Sequence, residues 1–413
     1  MPQQPNGLPA WKMFLAVMGP GLVVMLADTD VGSIITAAQS GVQWGYRLLL
    51  LQMLLVPVLF VVQELTVRLG IFTGQGHGEL IRKTFGTSWA WLSVSGLGVA
   101  TLGALVTEFS GIAAVGDLFG IPRLLSLGVT VAALLTIVLT GSYRRVERVA
   151  IGLGLFEFAF FFIAWRAHPH GAAMLGGMMH MPLNDGGYLY LVAANIGAVI
   201  MPWMIFYQQS AVADKKLQPD HYRFARWDTA IGSVLTQLVM AAILVAAAAT
   251  IGERHPDATL STIGDITKML VPFLGADVGR VIFGLGTIGA ALVAAIVVSL
   301  ACAWGFGEVT GYRHSLEHHP LEAPWFYGIY GLAVIGGAAV VDLVPNLVQL
   351  NIGVEVMNAL MLPLVLGFLV ALAFKALPPE HRLKGPYAWV VVAVSLLTAG
   401  LGVYGGLTGI NLF

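Results

Sequence analysis

The stretch Asp28-Thr29-Asp30-Val31-Gly32-Ser33 places two carboxylates inside an apolar segment that runs over residues 11–41. A charged side chain in hydrocarbon costs about 3 kcal/mol or more, so it persists where it has a partner, a water-filled cavity or a function. Asp, Thr, Gly and Ser also weaken helical hydrogen bonds or compete with them. The stretch therefore predicts a membrane helix that is broken where the acids lie.

The composition of the rest of the chain indicates a membrane protein. Of its 413 residues, 57% are hydrophobic and 10% are charged, whereas soluble domains average about 25% charged residues. Apolar segments that can each cross about 30 Å of hydrocarbon, some with a break or a tilt, recur along the chain. They are 11–41, 46–73, 88–116, 123–141, 149–166, 188–213, 225–251, 277–306, 324–343, 349–374 and 387–407. We expect an all-α polytopic membrane protein with eleven transmembrane helices.

The charges are distributed unevenly between the predicted loops. With a cytoplasmic N-terminus, most of the 21 Lys and Arg residues fall in cytoplasmic loops, as the positive-inside rule requires. Eleven spans then place the C-terminus outside. The net charge of −1 gives no indication of nucleic-acid binding, and the single cysteine excludes a disulfide framework.

A second break is predicted in the sixth segment, at Asn195-Ile196-Gly197-Ala198-Val199-Ile200-Met201-Pro202-Trp203. Pro202 has no N–H, and its ring clashes with the carbonyl of Ala198 four residues earlier, so this carbonyl should be free. Breaks in the first and sixth segments are typical of inverted-repeat transporters with a midplane site. We expect one transport domain over 1–407, with five-helix halves at about 11–166 and 188–374 and an extra helix at about 387–407.

An acid without a basic partner indicates a bound cation. No Lys or Arg lies in the middle of an apolar segment, although Asp30 paired with a buried base is the structural alternative. Asp30 offers a carboxylate and Ser33 a hydroxyl. From the other break, Ala198 offers a carbonyl and Met201 a thioether. Oxygen ligands suit magnesium, calcium and manganese, whereas a thioether favours softer transition metals.

Three further acids lie near a break or inside a span. Asp28 is two residues before Asp30, Glu108 lies in the third segment, and Glu355 lies early in the tenth. Each is a candidate to tune the charge of the site, to carry protons or to be a protonated core acid. No His-Glu-x-x-His cluster or nucleophile–base pair lies within a span, so we expect neither an enzyme nor a cofactor.

Several motifs, in the right order, resemble the NRAMP divalent-metal transporters over nearly the whole chain. Asp30-Val31-Gly32-Ser33 stands where that family has Asp-Pro-Gly-Asn, and Ala198 to Trp203 stands where it has Ala-x-x-Met-Pro-His. The resemblance implies eleven helices in a leucine-transporter-type fold. It also implies that the metal is the transported substrate, held at the positions of Asp30, Ser33, Ala198 and Met201.

The departures from the family pattern affect the proton route. Trp203 and Gln208 stand where the family has histidines associated with proton movement, and Glu355 corresponds to a glutamine. These changes resemble a divergent NRAMP-related branch that includes magnesium transporters without proton coupling. Met201, in contrast, is the soft ligand expected of a manganese or iron carrier.

We therefore expect a secondary transporter that imports manganese, iron or magnesium by alternating access, with weak or no proton coupling. The expected partners are the metal cation and the lipid bilayer, with no nucleic acid and no obligate protein partner. The expected location is the cytoplasmic membrane of a bacterium. The alternative is a sodium- or proton-coupled amino-acid transporter of the same fold, although paired acids at the first break disfavour a substrate carboxylate there.

Overall fold

Helices form wherever the sequence is apolar in the part of the chain that the computed structural model describes, which is residues 9–252, 260, 264, 275–341 and 347–410. These residues contain no strand. The α-helices, numbered in chain order, are α1 (Ala10–Val17), α2 (Pro20–Asp28), α3 (Val31–Trp44), α4 (Leu49–Thr73), α5 (His77–Phe85), α6 (Thr87–Leu118), α7 (Arg123–Leu139), α8 (Tyr143–Gly154), α9 (Ala159–Arg166), α10 (Gly171–Met178), α11 (Gly186–Val199), α12 (Pro202–Asp214), α13 (Tyr222–Ala247), α14 (Ala276–Thr310), α15 (Pro324–Val340), α16 (Leu347–Lys375) and α17 (Gly385–Ile410). The expected all-α class is confirmed.

Eight helical stretches of the described residues are long and apolar enough to cross a membrane, and nine if the bent pair α1–α2 counts as one span. The helices α7 and α15 are apolar but shorter. The polytopic character is therefore confirmed, while the count of eleven spans stays a prediction.

The first predicted break lies between α2 and α3, at Thr29 and Asp30. Asp30 has an extended backbone, and its side chain accepts a hydrogen bond from the backbone N–H of Ser33 at 2.7 Å, as an N-cap residue does. A second bend in the same segment, which the sequence analysis missed, turns α2 by 57° from α1. Gly19 makes this turn with a φ of 146°, a conformation that side-chain-bearing residues rarely adopt.

The bend at Gly19 is held by Asp228 on α13. The Asp228 carboxylate accepts hydrogen bonds from the backbone N–H groups of Gly19 at 3.1 Å, Gly21 at 2.8 Å and Leu22 at 3.2 Å. These are free N–H groups of the first turn of α2, where a negative charge also interacts favourably with the helix dipole. Asp228 therefore fixes the start of the helix that leads to the first break.

We expect Asp228→Ala to lower the free energy of unfolding by at least about 2 kcal/mol, because a hydrogen bond to a charged group contributes roughly 1.5–3 kcal/mol. The measurement is thermal unfolding of the detergent-solubilised protein. The control is Asp277→Ala on α14, whose side chain is 94% exposed. Equal melting temperatures for the two variants would contradict this role of Asp228.

The second predicted break lies between α11 and α12, at Ile200 and Met201. Pro202 occupies the first position of α12, where its missing N–H costs nothing. The span that contains both half-helices is 94% buried within the protein. The two breaks that the sequence predicts are thus present, and the second lies inside the helix bundle.

Candidate metal centre

The two broken helices meet at Ser33 and Ala198. The Ser33 hydroxyl donates a hydrogen bond to the Ala198 carbonyl at 3.1 Å, and both residues are buried. This carbonyl is free because Pro202 supplies no N–H to the helix. The Ala198 carbonyl, which Pro202 leaves without a helical donor, therefore accepts from a polar side chain of the first break.

Asp30 presents one carboxylate oxygen that is open to a ligand. Its Oδ1 accepts from the Ser33 N–H, whereas its Oδ2 is buried and has no hydrogen-bond partner among the described residues. A buried acceptor without a partner is unfavourable and calls for a compensating group. Met201 is fully buried in the facing break, three residues after Ala198. Its role as a sulfur ligand stays a prediction.

Glu108 and Glu355 both lie against the N-terminus of α3. The Glu108 carboxylate accepts from the backbone N–H of Val31 at 3.3 Å. Glu355 packs so closely on Gly32 that a Cβ there would come within 2.1 Å of its Oε1, and Asn358 donates to its other oxygen at 3.1 Å. The structure therefore brings both acids next to Asp30.

Asp28 lies on the α13 side of the break. Its Oδ2 accepts from the Thr236 hydroxyl at 3.3 Å, and its Oδ1 has no partner among the described residues. Glu157 was not among the predicted site residues; it lies on the 3-10 turn Leu155–Phe158 and is only 1% exposed. Glu157 is an acid inside an apolar segment, as Glu108 is, so the same sequence signal could have identified it.

In the part of the chain that the structure describes, no hydrogen bond joins Trp203 or Gln208 to Asp30, Glu108 or Glu355. Trp203 is fully buried in the first turn of α12. Gln208 donates to the Thr229 hydroxyl at 2.9 Å and accepts from the Thr66 hydroxyl at 2.6 Å. Gln208 therefore joins α12 to α4 and α13 through neutral hydrogen bonds.

The acids at the centre have no ion-pair partner: in the described ranges, Asp28, Asp30, Glu108, Glu157 and Glu355 form no salt bridge. In the same residues, no group of three His, Cys, Asp or Glu side chains is arranged to hold a metal. A metal at this centre would therefore rely on one carboxylate together with hydroxyl, carbonyl and thioether groups. The sequence-predicted set has this chemistry.

A separate polar cavity of about 310 Å³ lies where α5 begins and where α12 and α14 end. It is lined by Glu308, Asp214 and His314, among others. The Glu308 carboxylate accepts from the backbone N–H of Gly78 at 2.8 Å and also from the Ser210 hydroxyl. None of the sequence-predicted site residues lines this cavity.

A family model described as natural resistance-associated macrophage protein-like matches residues 21–408. The chain belongs to the Nramp family. Among its Nramp relatives, the divalent metal cation transporter MntH of Klebsiella pneumoniae (strain 342) is 26% identical over 97% of each chain. The divalent metal cation transporter MntH of Yersinia pestis (strain Pestoides F) is 31% identical over 71% of this chain and 73% of its own.

Solved structures show the fold of this Nramp chain. The manganese transporter of Eremococcus coleocola matches with a TM-score of 0.79 at 21% identity, over 99% of this chain and 89% of its own. A Na⁺-coupled sialic acid symporter matches with a TM-score of 0.62 at 13% identity. The leucine-transporter-type fold is thereby confirmed, as is the family that the motifs resemble. Nramp members are metal transporters, not enzymes, which confirms the expectation that this chain is not an enzyme.

Proposed function

We propose that this protein is a secondary transporter that carries a divalent metal cation across the membrane, with Asp30 as the charged ligand. The observation that carries the proposal is the open Oδ2 of Asp30, buried beside the hydrogen bond that joins Ser33 to Ala198. Membership of the Nramp family supports divalent metals as the substrate class. Ser33, Ala198 and Met201 complete the proposed ligand set.

The contact between Ser33 and Ala198 suggests how a cation enters the site. The hydroxyl satisfies the carbonyl that Pro202 leaves without a helical donor. A bound cation takes the place of that hydroxyl proton as the partner of the carbonyl, and it accepts a lone pair from the hydroxyl oxygen. Ser33 lies in the first turn of α3 and Ala198 in the last turn of α11, so both ligands lie next to a break, where the backbone can shift without disrupting a whole helix. Alternating access then follows from movement of α2 and α11 relative to α3 and α12.

The proposed substrates are manganese or iron on the one hand and magnesium on the other. The Met201 thioether favours the transition metals, because magnesium prefers oxygen ligands and its own waters. Glu108 and Glu355 place two further carboxyl groups next to Asp30, and when they are ionised these groups favour a divalent cation over a monovalent one. The transporter of Eremococcus coleocola that shares the fold is named for manganese.

We expect Met201→Ala to weaken manganese binding about tenfold, or roughly 1.4 kcal/mol, relative to magnesium. The change removes the one soft ligand and leaves the oxygen ligands in place. The measurement is the ratio of half-saturating concentrations of the two metals in uptake assays. The matched control is Met204→Ala, which truncates a second fully buried methionine, in the first turn of α12. A ratio that Met201→Ala leaves unchanged would show that the sulfur is no ligand.

We propose that metal transport moves few protons. Trp203 does not titrate, and Gln208 is held in neutral hydrogen bonds. His77, at the start of α5, is buried, and this burial lowers its pKa to about 4, so it stays neutral at physiological pH. The expected result is manganese uptake without acidification of the vesicle lumen, followed with a pH-sensitive dye. Acidification that keeps pace with uptake would contradict the proposal.

We also propose the orientation and domain division that the sequence suggests. The N-terminus is cytoplasmic, the C-terminus is external, and the membrane is the cytoplasmic membrane of a bacterium, in keeping with the bacterial relatives. The chain forms one transport domain in which α1–α9 and α11–α16 are the two halves and α17 is the extra helix. No obligate protein partner is indicated.

The experiment that tests the proposed function is a competition assay in proteoliposomes. We expect saturable manganese uptake that iron inhibits strongly and that magnesium and calcium inhibit in proportion to their own affinities. Radiolabelled amino acids serve as the second substrate class in parallel vesicles. Uptake of an amino acid, with no divalent cation accumulated above protein-free vesicles, would replace this function with the alternative carrier.

A further inference from the structure

We propose that Asp28 and Glu157, together with the hydroxyls of Thr29 and Thr236, form a second cation site beside the Asp30 centre. The inference rests on the proposed function, because the second site would be another binding site for the cation that Asp30 binds. It lies between α2, the turn Leu155–Phe158 and α13, on the proposed cytoplasmic side of Asp30.

Hydroxyl contacts between α2 and α13 build one wall of this site. The hydroxyls of Thr29 and Thr236 lie 2.9 Å apart, and the Thr236 hydroxyl is 3.3 Å from Asp28 Oδ2. All three residues are at most 2% exposed. Two hydroxyl oxygens and a carboxylate are thus held at fixed positions by two packed helices.

Glu157, on the turn Leu155–Phe158, provides the observation that points to a ligand. Both of its carboxylate oxygens, and Oδ1 of Asp28, lack a hydrogen bond of normal geometry among the described residues. Glu157 lies close enough to interact with Thr29 and, by electrostatic repulsion, with Asp28 and Asp30. Asp28 and Glu157 therefore both neighbour Thr29, and three of their four carboxylate oxygens lack a hydrogen bond of normal geometry among the described residues.

Such an arrangement is unfavourable unless positive charge compensates it. Burying an unpaired carboxylate is costly, and two of them at close range repel each other in a low-dielectric interior. In the described ranges, neither Asp28 nor Glu157 forms a salt bridge. A bound cation supplies the missing charge.

The donor atoms define the class of cation. Two carboxylates carry the charge of one divalent ion, and every donor is an oxygen. Oxygen-only sites take hard cations such as magnesium, manganese and calcium. The Asp30 centre differs because it includes the Met201 thioether. The two sites therefore differ in the softness of their ligands, and the second site selects hard divalent ions.

The test is the number of manganese ions bound per chain, measured by equilibrium dialysis of the purified full-length protein in detergent and repeated with magnesium. We expect two ions for the wild type, one for Glu157→Gln and one for Asp30→Asn. The double variant should bind none. Thermal unfolding of each variant checks that it is folded. If Asp28 and Glu157 hold protons in place of a cation, Glu157→Gln would bind as many ions as the wild type, and this result would overturn the inference.

This design separates the two proposals. One ion in the wild type, lost in Asp30→Asn and kept in Glu157→Gln, would overturn the second site and leave the proposed function intact. Binding that Asp30→Asn leaves unchanged would overturn the proposed function itself. Loss of one ion in Glu157→Gln alone would then still identify a cation site at Glu157.

The buried threonines Thr236 and Thr250 provide a test variant and a matched control. We expect Thr236→Val to weaken the second manganese ion about tenfold, and Thr236→Ser to restore it. The control is Thr250→Val, since Thr250 is also buried but its hydroxyl bonds the backbone carbonyl of Ala246. Equal affinities for Thr236→Val and Thr250→Val would overturn the assignment of Thr236.

Discussion

Asparagine in place of Asp30 is expected to weaken manganese binding at the main centre at least about a hundredfold. A unit charge and an opposite charge 4 Å apart interact by about 4 kcal/mol at an effective dielectric constant of 20. The loss of such an interaction corresponds to roughly a thousandfold in affinity. The measurement is the dissociation constant for manganese of the detergent-solubilised protein, determined by titration calorimetry.

Asparagine also separates the loss of charge from the loss of structure. It caps helices about as well as aspartate, so its oxygen can still accept from the Ser33 N–H that Asp30 binds at 2.7 Å. The control is Asp277→Asn, which removes one charge at an exposed position. A less than tenfold change in Asp30→Asn, with the fold intact, would show that this carboxylate is not the principal ligand.

Alanine in place of Gly197 is expected to destabilise the protein by more than about 3 kcal/mol, beyond the usual cost of overpacking. A Cβ at Gly197 would lie 1.8 Å from the backbone carbonyl oxygen of Glu355 and 2.8 Å from the backbone nitrogen of Ala359. Both atoms belong to the main chain of α16 and cannot turn aside as a side chain can. The separation of α11 from α16, and with it the second break, would have to change.

The yield of monodisperse protein and its melting temperature measure this effect. The control is Gly353→Ala, because Gly353 also lies on α16 and a Cβ there meets no atom within 4 Å. We expect the control to resemble the wild type. If Gly197→Ala were as stable as Gly353→Ala, the close approach of α11 to α16 would be wrong.

The two breaks could be predicted because their causes are local. Pro202 removes a backbone donor at a known distance along the chain, so the free carbonyl of Ala198 follows from the sequence alone. Asp30 and its polar neighbours act on the helix that contains them. That these two local features face each other came from the inverted-repeat pattern, and the contact of Ser33 with Ala198 agrees with it.

The features that were missed depend on contacts between distant parts of the chain. Asp228 caps α2 from 207 residues away, and no sequence pattern links the two. Glu157 is one acid in an apolar segment, and its importance comes from its proximity to Thr29 and Asp28, which lie far away in the sequence. The hydrogen bonds of Gln208 with Thr66 on α4 and Thr229 on α13 are also contacts between distant parts of the chain. The spacing of residues along the sequence does not specify which distant side chains come into contact.

Manganese uptake into proteoliposomes tests directly whether Asp30 holds the transported cation between the two broken helices. Wild type, Asp30→Asn and Asp277→Asn would be reconstituted in equal amounts and followed over the same time course. We expect uptake by the wild type and by Asp277→Asn, and no uptake above protein-free vesicles by Asp30→Asn. Uptake by Asp30→Asn at the wild-type rate would contradict it.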